Sequence, residues 1–361
     1  MTPNPLIGVL FHWLGGLSSA SFYVPYKRIQ AWSWEIFWLT GGIFSWLIAP
    51  WLFAALQTKD LLGVLSAQAP STLGWCYVWG ALWGLGGLTF GLTMRFLGLS
   101  LGMAVALGLT TVIGTLGEPL FSGTLGVLAA TTSGKIVLLG ILIVIIGIVT
   151  VAAAGQAKEK EIAADANMGA DAHGVPVSRG EFNLKKGILI AVFSGVMSSC
   201  FAFGLAAGAP IREASAAAGT GPLWVGLPVL CVVLAGGLTT NALWCGYLIL
   251  KNRTAGEWRG VRSDGHNLPL VKNYLLAAVG GTLWYFQFFF YTMGESQMGE
   301  YGFSSWTLHM ASIILFSTLW GFWLKEWAGT SRATRSRVWS GIAILVAATI
   351  VIGIGNMLAG H

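Results

Sequence analysis

Ten stretches of about 20 apolar residues follow one another along this 361-residue chain, parted mostly by short polar turns. That succession constrains the fold more than any other feature, because a bilayer core about 30 Å thick takes roughly 20 helical residues to cross. The expected spans are 5–24, 34–56, 73–94, 98–121, 136–155, 187–209, 222–250, 273–293, 304–324 and 338–358. Only 9% of the residues are charged and the mean hydropathy is +0.72, against about 25% charged in a soluble domain. A water-soluble fold is excluded. Barrel strands would alternate apolar and polar residues, and these stretches do not, so the expected class is an all-α integral membrane protein. Cys76, Cys200, Cys231 and Cys245 sit in apolar runs without CxxC or ligand spacing, which argues against disulfides, a zinc site or a redox motif. No cofactor is expected.

The basic residues set the orientation. Lys59, Lys135 and Arg212 aside, the lysines and arginines, 17 of the 20, fall in loops on the side opposite the two termini. Positive loops stay cytoplasmic, so both termini are expected on the outer side of the membrane. The net charge of +6 is therefore explained by topology, and no nucleic-acid partner is expected. The first span has no basic residue before it and Lys27 and Arg28 after it, the reverse of a secretory signal, so it is expected to be retained.

The longest polar stretch, 156–186, reads as a cytoplasmic linker between two five-helix halves, 1–155 and 187–361. Weak self-similarity runs through both halves in one order. Ser18-Ser19-Ala20-Ser21-Phe22 answers Ser198-Ser199-Cys200-Phe201, Thr93-Met94 answers Thr292-Met293, Glu118 answers Glu326, and Gly140 answers Gly341. An odd number of spans per half forces the halves into opposite orientations, the usual build of a secondary transporter. Gly80, Gly84, Gly87 and Gly91 add a small-residue stripe that lets helices approach closely.

Ionisable groups inside a bilayer are costly and point to function. His12, Gly16, Ser19 and Tyr23 share one face of the first span, and Ser305, His309, Ser312 and Phe316 share one face of the ninth. Each imidazole lies in the outer half of its span, and an ordinary histidine titrates near pH 6.5, so both are candidates for proton coupling; the alternative is a neutral ring bonded to a carbonyl or hydroxyl. Glu35 opens the second span, where it either caps the helix or releases the proton to the cytoplasm. In the eighth span Trp284, Gln287 and Tyr291 share a face beside Tyr285. Aromatic planes next to an amide suit a sugar, whose C–H face packs on rings while its hydroxyls bond to the amide. The alternative for these rings is lipid-facing bulk. Trp306 and Asn241 complete the candidate sugar contacts, and Glu118 and Glu326 are expected at the membrane interfaces.

The motifs HWLGGLSSASFYVPYK (12–27), WSWE (32–35), GLTMRFLG (91–98), EFNLKKG (181–187), WYFQFFFY (284–291), WTLHM (306–310) and LKEW (324–327) resemble the bacterial L-rhamnose-proton symporter family, a branch of the drug/metabolite transporter superfamily. The resemblance covers nearly the whole chain and departs at Gly87 to Phe90, where the family pattern carries Asn and Tyr. It implies ten helices in an inner membrane and uptake of L-rhamnose, or a related 6-deoxy or pentose sugar, with protons. A drug or metabolite exporter on the same fold is the alternative. An intramembrane enzyme is less favoured, because the chain carries no GxSxG, HExxH or close carboxylate pair at a helix end.

Overall fold

The computed structural model describes residues 3–97, 99–166, 184–261, 269–325 and 327–359, and among these it contains helices and no strand. Long helices occupy every expected span. In chain order they are α1 (Pro5–Ser21), α2 (Trp34–Ile43, a π-helical turn Phe44–Ile48, then Ala49–Gln57), α3 (Pro70–Leu97), α4 (Leu99–Phe121), α5 (Thr132–Ala166), α6 (Leu184–Ala207), α7 (Leu227–Asn252), α8 (Leu270–Glu295), α9 (Ser305–Trp323) and α10 (Arg332–Ala359). Helices α1, α2, α5, α6, α7 and α10 contain the six segments long and apolar enough to cross a membrane by length and composition. The other four are also 19 to 28 residues long; Trp, Tyr, Gly, Ser and Gln dilute the hydropathy of α3, α8 and α9, whereas α4 contains the apolar stretch Val105–Phe121.

The expected linker begins later than its polar composition suggested. Helix α5 runs on through Gln156 to Ala166, because Ala, Glu, Gln and Lys are strong helix formers even where no apolar face is buried. The rest of that linker, residues 167–183, lies outside the described residues.

Core packing pairs α1 with α8 and α9, and α6 with α3 and α4; α7 lies on α3 and α2, α8 on α2, α4 on α5, α9 on α10, and α5 on α10. Where α3 crosses α7, a Cβ on Gly80 would overlap the Val233 carbonyl, and one on Gly236 would overlap the Tyr77 carbonyl. Backbone meets backbone there, which only glycine allows. Gly84 lies on the same contact, whereas Gly87 faces open space; the surroundings of Gly91 are outside the described residues. On the perimeter, Leu139, Leu142, Ile146 and Val149 of α5 stand half-exposed, an apolar face turned outward as a lipid-facing helix requires.

Hydrogen bonds sort the loops into two ends. At one end the Asn4 N–H donates to Gln297 Oε1 (3.2 Å), and the Lys59 N–H to Thr220 Oγ1 (3.0 Å). At the other, Asn273 Nδ2 donates to the Gln30 carbonyl (2.8 Å), Ser33 donates through N and Oγ to Glu257 (2.6 Å each), and Glu161 accepts from Ser331 and Thr334 at the start of α10. The first end bears Lys59 and Arg212; the second bears most of the other basic residues and is called the basic end below.

Candidate functional site

A cavity of about 1140 Å³ opens at the end that carries the N-terminus, slightly above the ~300–1,000 Å³ usual for small-molecule sites. Its mouth is set by Arg212, Glu213 and Glu295; Phe203 and Gly114 form walls, and Tyr291 and Trp306 lie deeper. Arg212 stands on a short helix, Ala209–Ala217, that caps α6, and its Nη1 donates to the Leu205 carbonyl. Trp306 is fixed in two ways. Its Nε1 donates to the Thr110 carbonyl (2.9 Å), and its ring occupies the space that Gly114 leaves by lacking a Cβ. A hydrogen bond between the Thr115 and Thr307 hydroxyls (2.6 Å) ties α4 to α9 beside it.

Behind Tyr291 and Trp306 the two imidazoles meet. The His12 and His309 ring centroids are 6.3 Å apart, and Tyr291 packs edge-on against both, at 5.4 and 5.3 Å; Trp306 reaches His309 at 6.5 Å. Both histidines are almost wholly buried. Local sequence explains the approach: Gly15 makes room for the His309 ring and Gly294 for the His12 ring, each of which a Cβ would crowd. Ser312 Oγ donates to the carbonyls of His12 (2.8 Å) and His309 (2.7 Å), binding α9 to α1 at the level of the pair. Neither nitrogen of His12, nor Nδ1 of His309, nor Gln287 Nε2 has a hydrogen-bond partner among the described residues. Each such buried group costs about 1–3 kcal/mol.

The remaining sequence candidates divide. Gln287 lies on the α1-facing side of α8, one turn from Tyr291, and its carbonyl lies against Gly15. Trp284, a further turn along, packs on Phe22 (4.0 Å between centroids) and Trp38 (5.9 Å), in a layer of rings between the imidazoles and the basic end. Tyr285 points elsewhere: it is fully buried and stacks on Phe53 (5.6 Å). Asn241 accepts from Trp38 Nε1 (3.0 Å) and donates to its own helix at the Gly237 carbonyl (2.9 Å). Glu35 is buried at the basic end, where Oε1 accepts from Asn252 Nδ2 (2.9 Å) and Thr254 Oγ1 (3.1 Å). There it joins the start of α2 to the end of α7, well separated in chain topology from the histidines. Glu326 and the side chain of Glu118 lie outside the described residues.

Tyr291, which shares the face of Trp284 and Gln287, links cavity to imidazoles. One feature escapes a reading of the sequence: the Arg212, Glu213 and Glu295 mouth has no signal, because it is assembled from a short helix and the far end of α8, about 80 residues apart along the chain.

Residues 1–358 match the family described as L-rhamnose-proton symport protein (RhaT). The chain is 37% identical over 352 residues to the L-rhamnose-proton symporter of Cronobacter sakazakii, with 97% of each chain covered. It is 38% identical, over the same length and coverage, to the L-rhamnose-proton symporters of Shigella sonnei and Salmonella gallinarum. With its apolar helices, these similarities make the chain a helical multi-pass membrane protein.

Proposed function

The chain belongs to the L-rhamnose-proton symport protein family, and on that premise we propose that it takes up L-rhamnose, or a related 6-deoxy or pentose sugar, with protons by alternating access. It is a carrier and performs no covalent chemistry on the sugar. The single observation that carries the reading is the cavity whose deep end is formed by Tyr291 and Trp306 against the His12–His309 pair.

The proposed architecture is two inverted five-helix repeats, 1–155 and 187–361, joined through 156–186 in the cytoplasm, with both termini periplasmic. Packing supports it. Exchanging each helix for the one five places on turns the α1–α8 contact into α6–α3, α1–α9 into α6–α4, α3–α7 into α8–α2, and α4–α5 into α9–α10; α5–α10 and α2–α7 map onto themselves. Every one of those contacts is present. The hydroxyls follow: Ser312 of α9 bonds an α1 carbonyl, and Thr110 of α4 bonds the Gly195 carbonyl of α6. Placed in an inner membrane with its basic end inward, the molecule is open to the periplasm.

Coupling follows from dielectric and hydrogen bonding. L-Rhamnose is neutral, so the membrane potential acts through the proton, at about 2.3 kcal/mol per 100 mV, or roughly 50-fold accumulation per 100 mV. A charged His12 imidazole lacks a protein acceptor among the described residues for either N–H group, and His309 for its Nδ1–H. A sugar seated on Tyr291 and Trp306, with Gln287 one turn further along α8, brings acceptor oxygens. Proton and sugar therefore favour each other's binding, and linkage makes that preference reciprocal. Asn241 and Tyr285 act through neighbours, Asn241 by holding Trp38; Glu35 anchors the inner end, where a released proton leaves. Counterflow in proteoliposomes tests the reading: L-rhamnose trapped inside should accelerate uptake of labelled L-rhamnose. No acceleration by this sugar, together with exchange of an amphipathic cation, would overturn it in favour of an exporter.

A further inference from the structure

On the α1-facing side of α8, Trp284 lies two turns, or about 10 Å, nearer the basic end than Tyr291. It closes a small void walled by Phe22 and Tyr26 after α1, Trp38 and Trp46 of α2, and Ser45 between them. The void measures about 10 Å³, room for roughly one water. Its walls come from both halves of the chain and carry no charged group.

Three hydrogen-bonding groups of these walls are idle. Trp46 Nε1, Trp284 Nε1 and Ser45 Oγ are buried without a partner, and Ser45 and Trp46 are only 1% and 3% exposed. Neighbouring groups are not so left: Trp38 Nε1 donates to Asn241 Oδ1 (3.0 Å), and the Thr40 hydroxyl donates to the Ile36 carbonyl of its own helix (2.7 Å). Ser45 makes no such bond among the described residues, and it sits in the π-helical turn Phe44–Ile48. Such turns re-aim side chains and recur at functional sites. Gly42 has no Cβ, and the Trp46 ring lies over it.

We propose that this box is an inner sugar subsite, distinct from the outer cavity and occupied when the transporter opens towards its basic end. The inference rests on the transport reading above. A pyranose has an apolar C–H face for the Trp284 and Trp38 rings, and its oxygens accept from Trp46 Nε1, Trp284 Nε1 and Ser45 Oγ. Walls without charge suit a neutral solute and offer nothing to balance an ion. The box is closed in the outward-open molecule, and the rings of α1, α2 and α8 part as the two halves rock.

The test uses the full-length protein in proteoliposomes of defined orientation, with KM for labelled L-rhamnose counterflow measured at each face. Trp46→Phe and Ser45→Ala each delete a donor and keep the packing. Each should raise KM at the basic face by about three- to tenfold, the effect of one lost neutral hydrogen bond, and leave KM at the outer face within about twofold. Unchanged KM at both faces would overturn the proposal, leaving a packed or water-filled void only; an equal rise at both faces would also overturn it, by merging the box with the outer site. If Trp46→Phe fails to fold, Ser45→Ala, which removes a single oxygen, carries the test. Failure of the unmodified protein to exchange L-rhamnose would sink the transport reading itself, and that control separates the two failures.

Discussion

At the scale of single residues, the account turns on two imidazoles that the sequence offered separately. That each lies in the N-terminal half of its helix is legible in the sequence; their meeting is not. Ser312 and His12 are 300 residues apart, and only the crossing of α1, α8 and α9 brings them together. If the pair carries the coupled proton, His12→Gln or His309→Gln should abolish proton-driven accumulation while L-rhamnose counterflow continues, because counterflow needs no net proton movement. Accumulation by both variants at the level of the unmodified protein would transfer the role to Glu35. Ser312 has a smaller share. Ser312→Ala removes its hydrogen bonds to two backbone carbonyls and should cost about 1 kcal/mol, read as a lowered thermal midpoint in detergent.

At the scale of elements, the apolar runs located every long helix among the described residues, six of them with segments long and apolar enough to cross a membrane. What escaped them has local causes. The extension of α5 to Ala166 comes from intrinsic propensity rather than apolar periodicity. At the π turn at 44–48 the Trp46 ring is seated on Gly42, four residues before it, and no periodicity announces the turn. The glycine stripe on α3 proves to be two things: Gly80 and Gly84 are contact residues, whereas Gly87 is free of neighbours. Gly80→Ala should therefore destabilise by about 1–3 kcal/mol, because its Cβ meets backbone that cannot give way cheaply. Gly87→Ala should be neutral or stabilising by up to about 1 kcal/mol. Thermal unfolding of the two variants side by side checks this; equal losses would contradict the packing of α3 on α7.

At the scale of the whole molecule, one end is open and the other is filled with rings. The cavity between Arg212, Glu213 and Glu295 faces away from the basic loops, and alternating access requires that it close as the inner layer of Phe22, Trp38 and Trp284 opens. Ala216, on the cavity wall, reports on this. In an Ala216→Cys variant a membrane-impermeant thiol reagent added outside should label the cavity, and conditions that hold the carrier inward-facing should slow labelling at least about tenfold, the factor set by a shift of about 1.4 kcal/mol between the two states. Labelling that ignores orientation would mean the cavity is static. The most direct measurement of the central claim is the pH of the medium around unenergised proteoliposomes when L-rhamnose is added. The account predicts an alkaline shift that saturates with sugar concentration and disappears in the His12→Gln and His309→Gln variants. Equilibration of L-rhamnose across the bilayer with no movement of protons would contradict it.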